Sequence, residues 1–595
     1  MQPKTYRLWD FIAVTFRAAP VLVCLSFLFA LLGGLVEPGL TLTQADFIDA
    51  AVARISGQAA VIWWPFAATL VLTAWGYINY NLDGLLNTRI RNRLAETLKV
   101  RLLDKRARLA YRHIENNETM DLIGRVCRKP EEQFFEGFKI LLSVSGTVVQ
   151  IVSLLAILMA HVWWTGPAVI ALTVPLAILA VRLGRRSYEA DKEADKHTRR
   201  ADYLSTVLTE REGAEERAVF GTTKALNERW YERYRKAMRI NLAETRRNFV
   251  LIKGTGLIIV ALGAAILLVL LIPLRDGRIS LGLFASLSAS IFSLGQMLSW
   301  NVPWAMRMLE KQRQYLKDLT GFEALSEIEG AADLPARLPD GFALGQIEFD
   351  HVSFRYPGTE SYILRDFTFT LREGAHYALV GANGAGKTTL TKLLTGQYDE
   401  YEGSIFVGGR DLRDFTAAEK KALFSVVYQD YAKYYVTLRE AVALGDLREG
   451  ARPDVESALR AVELDTAKLP QGIDTPLGKI REGGVDLSGG EWQRTALARC
   501  LVSPAPVRIL DEPTAALDPM AESRVYEQFG HISEGHTTLF ITHRLGAARL
   551  ADEILVLADG HVAEHGSHEA LMQKAGLYAE MFESQSAWYR EEVSA

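Results

Sequence analysis

The chain has 595 residues, which is too long for a single hydrophobic core, so two or more domains are expected. Its 67 Lys and Arg against 71 Asp and Glu give a net charge of −4. This balance argues against a nucleic-acid-binding protein, which needs a basic excess on at least one domain. Three cysteines lie far apart and match no metal-ligand spacing, so we interpret them as buried apolar side chains.

Six segments of the first half are long and apolar enough to cross a bilayer, which takes about 20 residues each. They are predicted at residues 18–40, 59–80, 140–161, 163–183, 251–274 and 280–306. Residues 257–274 carry no charge at all, which favours membrane spans over the buried helices of a large soluble protein. The first run is not predicted to be a cleaved signal peptide, because charged residues precede it and no small-residue cleavage site ends it.

The connections between these segments alternate between two kinds. Those after the first, third and fifth spans are short and poor in Lys and Arg, whereas those after the second and fourth are long and basic. By the positive-inside rule, the long connections and both termini are cytoplasmic. Their dense charge of both signs predicts that spans two to five continue as helices into the cytoplasm, with turns near 116–119 and 212–215.

A boundary is predicted where the apolar periodicity stops. Residues 321–345 contain Pro335, Pro339 and several Gly and Ala, which are typical of a linker. After it, residues 347–356 alternate like a strand, and the apolar run 377–381 leads into a Gly-rich loop and a helix. The predicted domains are therefore 1–320, the linker 321–345, and 346–595. The predicted fold class is an all-α six-helix transmembrane domain followed by an α/β P-loop NTPase domain.

The Gly-rich loop fits G-x-x-x-x-G-K-[ST] at every fixed position. Its glycines allow backbone torsions that aim N–H groups at phosphate oxygens, and the helix that follows adds partial positive charge. Lys387 is predicted to reach the β- and γ-phosphates, and Thr388 to hold Mg²⁺. The predicted nucleotide-binding residues of this segment are Gly381, Ala382, Asn383, Gly384, Ala385, Gly386, Lys387, Thr388 and Thr389.

A second predicted element of the site is the mostly apolar strand 507–510, which ends in two acids. In a P-loop protein, paired carboxylates at the end of a buried strand are what a Mg²⁺ site needs. Asp511 is predicted to hold the ion, usually through water. Glu512 is predicted to polarise the attacking water.

The run Leu487-Ser488-Gly489-Gly490, followed by Gln493 and Arg494, resembles the signature of ATP-binding-cassette (ABC) proteins. The second half resembles an ABC nucleotide-binding domain along its whole length, which implies ATP and Mg²⁺ as ligands. The resemblance implies adenine stacking by Tyr356, contact of Gln429 with metal and water, and a γ-phosphate contact by His543. The implied catalytic residues are Glu512, His543 and Gln429, and the implied metal site is Thr388, Gln429 and Asp511.

The same resemblance implies that two segments complete the ATP site of a facing subunit. These are the signature residues Ser488, Gly489 and Gly490, and the loop 515–518 with Asp518. The chain is therefore expected to work as a dimer. A second copy of itself is the simplest partner, because both halves of a site are intact, and a heterodimer with a degenerate partner stays open.

The first half resembles the six-span membrane domain of ABC exporters that have helical extensions into the cytoplasm. This implies an ATP-hydrolysing exporter in the bacterial plasma membrane that works by alternating access, with residues 113–121 and 212–220 as coupling segments. Few charges lie in the spans, which disfavours a strongly ionic ligand-binding centre. The serine-rich last span either lines a cavity for an amphipathic peptide, lipid or drug or packs helices.

Two local patterns, Tyr428-Gln-Asp-Tyr431 and Trp492, look like those of bacterial lanthipeptide-type exporters. Other functions stay open on the sequence alone. They are an importer built on the exporter fold, an ATP-gated channel or regulator, and a soluble ABC ATPase of DNA repair or translation.

Overall fold

The computed structural model describes residues 4–161, 163–210, 213–339, 342–479, 483–513 and 534–591. The chain divides into two compact units. One contains Met1–Asp104 and Asp121–Ala324, and the other contains Lys105–Met120 and Leu325–Ala595. The predicted bounds of the membrane domain and linker stay a prediction. Residues 113–120 of Lys105–Met120 belong to the predicted coupling segment 113–121, and the second unit also includes residues 105–112, which the sequence did not indicate.

Helices make up the regular structure of the first half. They are α1 (Leu8–Ala18), α2 (Pro20–Ile55), α3 (Trp63–Leu94), α4 (Val100–Arg108), α5 (Tyr111–Glu115), α6 (Asn117–Cys127), α7 (Pro130–His161), α8 (Thr165–Thr209), α9 (Ala214–Phe220), α10 (Thr223–Arg275), α11 (Leu281–Gln296) and α12 (Val302–Glu323). The π-helical turns Ala95–Lys99 and Met297–Asn301 join α3 to α4 and α11 to α12. Each of the six predicted spans falls on α2, α3, α7, α8, α10 or the run from α11 to α12.

Two helices of the described residues are long and apolar enough, by length and composition, to cross a membrane: Pro20–Ile55 and Pro130–His161. In each, 17% of the most apolar 18-residue stretch is buried, so most of its residues are at least partly exposed. Val260–Arg275 and Leu281–Gln296 are shorter apolar stretches. The other two predicted spans, on α3 and α8, do not meet this test among the described residues.

Helices α2 and α11 pack closely through small and polar residues. The hydroxyls of Thr41 and Ser290 lie 2.7 Å apart, and the backbone N–H of Gly282 donates to Asp49 at 2.7 Å. A Cβ at Gly282 would lie 2.2 Å from the carbonyl oxygen of Ala45, so only glycine permits this approach. Because Ser290 is buried in this contact, it serves helix packing.

The second unit contains the strands. They are β1 (Gln346–Phe354), β2 (Leu364–Arg372), β3 (His376–Gly381), β4 (Glu402–Val407), β5 (Arg410–Asp411), β6 (Phe424–Val427), β7 (Val507–Asp511), β8 (Thr537–Ile541), β9 (Glu553–Ala558) and β10 (His561–Gly566). Its later helices are α13 (Lys387–Leu394), α14 (Ala417–Leu423), α15 (Leu438–Ala443), α16 (Val455–Ala461), α17 (Gly489–Leu501), α18 (Leu545–Ala548), α19 (His568–Lys574) and α20 (Leu577–Glu591).

The strands form two sheets in the described part of the chain. The smaller has the order β2-β1-β4-β5, and its paired strands are antiparallel. The larger has the order β10-β9-β3-β8-β7-β6, and all its pairs are parallel except that of β10 with β9. The carboxyl ends of β3, β8, β7 and β6 therefore meet at one edge of the sheet, where ligands bind in open α/β folds.

Candidate active site

The phosphate loop leaves the central strand β3 at Gly381 and enters α13 at Lys387. Its glycines at 381, 384 and 386 have φ values of +152°, +82° and +107°, a region that favours glycine. A Cβ at Gly381 would lie 2.4 Å from the carbonyl oxygen of Leu557, and one at Gly386 would lie 2.8 Å from Leu364. The loop therefore depends on glycine for both its torsions and its packing, while residues 382–384 are exposed.

Lys387 is buried with its charge directed at this loop. Its side chain is 6% exposed, and Nζ donates to the carbonyl oxygens of Gly381 at 2.8 Å and Ala382 at 3.0 Å. Burial lowers the pKa of Lys387, and the charges of Glu512 and Asp511 oppose that shift. A buried cation beside a loop that exposes backbone N–H groups is suited to bind phosphate.

Asp511 lies at the end of β7 and is 3% exposed. Burial raises its pKa to about 6, and the neighbouring charge of Glu512 adds to the shift, against the effects of Lys387 and a hydrogen bond from Thr388. A buried carboxylate next to a second carboxylate and a hydroxyl carries excess negative charge. These oxygen groups fit a hard divalent cation such as Mg²⁺.

Glu512 stands between two side chains from neighbouring strand ends. Gln429, two residues after β6, donates from Nε2 to Glu512 Oε2 at 2.9 Å, and His543 Nε2, two residues after β8, lies 3.0 Å from Oε1. Burial lowers the pKa of His543, the charge of Lys387 lowers it further, and Glu512 opposes both. The structure thus brings together the three residues predicted to be catalytic, on adjacent strands.

Tyr356 lies beside the phosphate-loop helix. Its hydroxyl is 3.0 Å from that of Thr389, and its ring contacts those of Phe354 and Tyr398 with centroids 5.2 and 5.6 Å apart. The Nζ of Lys392 lies 5.2 Å from the Tyr356 ring centroid. The ring is half-buried, so part of it remains accessible.

The signature residues begin α17. Ser488 caps the helix by accepting from the N–H of Glu491 at 3.3 Å, while its own hydroxyl and N–H both donate to the Glu491 carboxylate at 2.8 Å. Ser488 and Gly489 are exposed. Among the described residues, no hydrogen bond joins Ser488, Gly489 or Gly490 to the phosphate loop. Asp518 and the loop 515–518 lie outside the described residues.

The predicted coupling segment 113–121 lies partly within the second unit. Glu115 at the end of α5 accepts hydrogen bonds from Lys392 of α13 and from the Tyr398 hydroxyl. The rings of Tyr111 and Tyr398 meet edge-on with centroids 5.8 Å apart, and Arg112 pairs with Glu400. Burial acts to raise the pKa of Glu115, but its bonds to Lys392 and Tyr398 outweigh burial and lower it. This end of the connection is therefore held to the phosphate-loop helix.

Sequence reasoning missed two glutamines that hold the backbone of the site. Gln493 of α17 donates from Nε2 to the carbonyl oxygen of Glu512 at 3.1 Å. Gln585 of α20 donates in the same way to the carbonyl oxygen of His543 at 2.9 Å. The sequence contains one hint of these contacts: Gln493 is a polar residue that belongs to the family's signature pattern. That pattern does not indicate that the side chain of Gln493 binds the backbone of Glu512.

Comparison with known proteins agrees with this geometry. Residues 364–515 match the sequence profile of the family described as "ABC transporter". The chain is 26% identical to the subtilin transport ATP-binding protein of Bacillus subtilis, over 94% of this chain and 91% of that protein. It is 28% identical to the ATP-dependent lipid A-core flippase of Sodalis glossinidius, over 88% and 89%.

A solved structure extends the comparison to the fold. The bacterial Atm1-family ABC exporter with ATP bound superposes with a TM-score of 0.76 and 25% identity, over 95% of this chain and 98% of that one. These relatives are a transport protein, a flippase and an exporter by name, and none of them supports the importer or channel alternatives. The chain is an ABC half-transporter of the exporter type, a membrane domain joined to an ABC nucleotide-binding domain.

Proposed function

We propose that the chain hydrolyses ATP to export an amphipathic peptide, lipid or drug across the bacterial plasma membrane, as a homodimer that works by alternating access. The observation that carries this proposal is the meeting of Lys387, Asp511, Glu512, His543 and Gln429 at one sheet edge. These residues supply a phosphate-binding cation, a metal site and a group that activates water. Such a set is suited to phosphoryl transfer, which depends on positioning and electrostatic stabilisation.

In the proposed reaction, Glu512 accepts a hydrogen bond from the attacking water and polarises it. His543 and Gln429 flank its carboxylate, so they restrict the direction in which it points. Lys387 offsets the negative charge of the phosphates. Bound Mg²⁺, held by Thr388, Asp511 and Gln429, would neutralise charge on the phosphate oxygens.

The proposed dimer places the signature of one subunit on the nucleotide of the other. Its support is that Ser488 and Gly489 are exposed and form no hydrogen bond with their own phosphate loop among the described residues. The second coupling segment offers a further surface for a partner. Val219 and Phe220 of α9 are 78% and 73% exposed, and a partner's domain would remove this apolar area from water. A homodimer needs no other chain, because each copy brings both halves of a site.

The proposed topology places both termini in the cytoplasm, with lipid around the apolar helices and no nucleic-acid partner. Its support is the excess of Lys and Arg in the long connections. The substrate class rests on the scarcity of charge in the spans and on the relatives, one named for subtilin and another for lipid A-core.

Transport into inside-out membrane vesicles tests the proposal. Vesicles containing the chain are expected to accumulate at least one member of a panel of lanthipeptides, lipids and amphipathic drugs when ATP is supplied. Uptake should depend on ATP hydrolysis, so the Glu512→Gln vesicles provide the matched background. Passive ATP-dependent flux without accumulation would instead identify a channel, and loss of substrate from preloaded vesicles would identify an importer.

Replacing Tyr356 separates its ring from its hydroxyl. Tyr356→Ala is expected to raise the KM for ATP roughly 5- to 150-fold, because stacking on a base contributes about 1–3 kcal/mol. Tyr356→Phe retains the ring and loses only the contact with Thr389, so its KM should stay within about 3-fold of the native value. Steady-state ATPase assays decide, and equal effects of the two substitutions would argue against adenine stacking.

Ser488 has two roles, which a matched pair of substitutions separates. Ser488→Ala removes the cap of α17, and Thr437→Ala removes a cap of the same geometry from α15, where Thr437 and Glu440 form the equivalent box. Each is expected to lower the free energy of unfolding by about 0.5–2 kcal/mol. Only Ser488→Ala should also lower the ATPase rate. Thermal unfolding and ATPase assays on both variants check this, and an equal loss of activity in both would contradict the signature role.

A further inference from the structure

Gln493 is a buried polar side chain beside the proposed catalytic acid, on the same helix as the signature. It is 2% exposed, and its Nε2 lies 3.1 Å from the carbonyl oxygen of Glu512. The bond reaches the backbone of Glu512 and leaves the carboxylate free for Gln429 and His543. Gln493 therefore contacts the part of Glu512 that sets its orientation, the backbone, and not the carboxylate that faces the water.

The backbone of Glu512 needs such support. Its φ is +47°, in the left-handed region that side-chain-bearing residues adopt at a cost in free energy. A conformation of this kind persists only where surrounding contacts enforce it. Two bonds do so here: the N–H of Glu512 donates to the carbonyl oxygen of Ile541 at 3.0 Å, and its carbonyl oxygen accepts from Gln493.

The same helix begins at the signature, one turn before Gln493. Ser488 caps α17, and Gln493 lies five residues later, which is about 7.5 Å along the helix axis. Tyr431, two residues after Gln429, donates from its hydroxyl to the carbonyl oxygen of Gly489 at 3.0 Å. The first turn of α17 is thus bonded to the segment that carries Gln429, and its second turn is bonded to Glu512.

We propose that Gln493 is a positioning residue for hydrolysis: it holds the Glu512 peptide in its left-handed conformation and so keeps the carboxylate between Gln429 and His543. Because α17 begins with the signature, the same bond ties the hydrolytic acid of one ATP site to the residues that complete the other. This inference rests on the proposed hydrolysis at Glu512, and its test distinguishes the failure of either.

Two substitutions of Gln493 test the hydrogen bond with little change of volume. Gln493→Met removes the donor, and Gln493→Glu replaces it with a carboxylate whose oxygens face the Glu512 carbonyl. Both are expected to lower kcat for ATP about 10- to 100-fold, since small misplacements of a catalytic group have effects of this size. The KM should stay within about 3-fold. The introduced carboxyl group donates again once it is protonated, so the ratio of the Gln493→Glu kcat to the native kcat should rise as pH falls. The same ratio for Gln493→Met should not.

A matched control lies two residues away on the same helix. Thr495 is fully buried, and its hydroxyl donates to the carbonyl oxygen of Glu491 within α17 at 2.8 Å. Thr495→Val therefore removes a side-chain hydrogen bond of the helix and leaves the bond between Gln493 and Glu512 in place. Its kcat should stay within about 2-fold of the native value, and thermal unfolding measured on all three variants shows whether the helix still folds.

Mixed dimers show which ATP site Gln493 serves. The two chains are co-expressed with different tags, so that dimers with Glu512→Gln in only one chain can be purified. Such a dimer retains one functional Glu512. Adding Gln493→Met to the chain with the functional Glu512 is expected to lower the remaining rate about 10-fold or more, whereas adding it to the Glu512→Gln chain should leave it nearly unchanged. The opposite pattern would mean that Gln493 acts only through the partner's site, and it would overturn the proposal.

The outcomes separate the two claims. If Glu512→Gln homodimers hydrolyse ATP at the native rate, the proposed function is wrong. If they are inactive but both Gln493 variants keep the native kcat, or lose it no more than Thr495→Val does, only the positioning role is wrong.

Discussion

Glu512→Gln is expected to lower the kcat of ATP hydrolysis about 10²- to 10⁴-fold, the range that a positioned general base contributes. Glutamine keeps the length of the side chain and still accepts a hydrogen bond from Gln429, but it has lost the negative charge that polarises water. Nucleotide binding should remain, because Lys387 and the phosphate loop are unchanged. The measurement pairs steady-state ATPase assays with equilibrium binding of a fluorescent ATP analogue.

Glu553→Gln is the matched control for this substitution. Glu553 also pairs with a histidine, His565, at 2.9 Å, but it starts β9 and so lies at the amino edge of the parallel strands. Its substitution should leave kcat within about 2-fold of the native value. If the two variants lost activity equally, loss of any Glu–His pair would explain the effect, and the assigned role of Glu512 would fail.

Lys387→Ala is expected to weaken ATP binding at least about 30-fold, since removing one partner of a buried charge pair costs about 2–5 kcal/mol. The alanine variant leaves the phosphates without the cation that the loop directs at them. ATP binding measured by titration and the KM of any remaining hydrolysis report this change. AMP serves as a second ligand because it lacks the β- and γ-phosphates that Lys387 is predicted to contact. AMP binds more weakly than ATP, and its affinity should hardly change in the Lys387→Ala variant.

Lys421→Ala provides the control for this second prediction. The Lys421 Nζ also donates to two backbone carbonyl oxygens, those of Ala331 and Asp333, at 2.6 and 2.7 Å. The Lys421→Ala variant therefore loses the same kind of contact as Lys387→Ala, but at a place away from the phosphate loop. Its ATP affinity should match that of the native protein, and a comparable loss in both variants would point to general destabilisation.

The phosphate loop and the strand that ends in Asp511 and Glu512 could be predicted because their chemistry is local in sequence. A loop that binds phosphate needs its glycines and lysine at fixed spacing, and a metal site needs carboxylates at a strand end. The order of the strands could not be predicted, since it depends on long-range pairing between β3, β8, β7 and β6. That order brings Gln429, His543 and Glu512 together.

The contacts of Gln493 and Gln585 could not be predicted from the sequence, for a related reason. Both glutamines donate to backbone carbonyl oxygens, and every residue presents such an acceptor, so no sequence pattern marks the partner. In the membrane half, the number of spans could be predicted more readily than the contacts between them. Hydropathy predicts six spans, but two helices of the described residues pass a strict test of length and composition. Packing details such as the contact of Ser290 with Thr41 follow only from the structure.

The place of Lys105–Met120 affects how this protein can be divided for study. A fragment beginning at residue 346, where the sequence predicts the second domain to start, would lack Glu115 and leave Lys392 and Tyr398 without their shared partner. It would also uncover the aromatic contact between Tyr398 and Tyr111. A recombinant nucleotide-binding fragment would therefore lack a segment that packs against its phosphate-loop helix. Supplying residues 105–120 as a synthetic peptide, or grafting them through a short linker, should restore this packing.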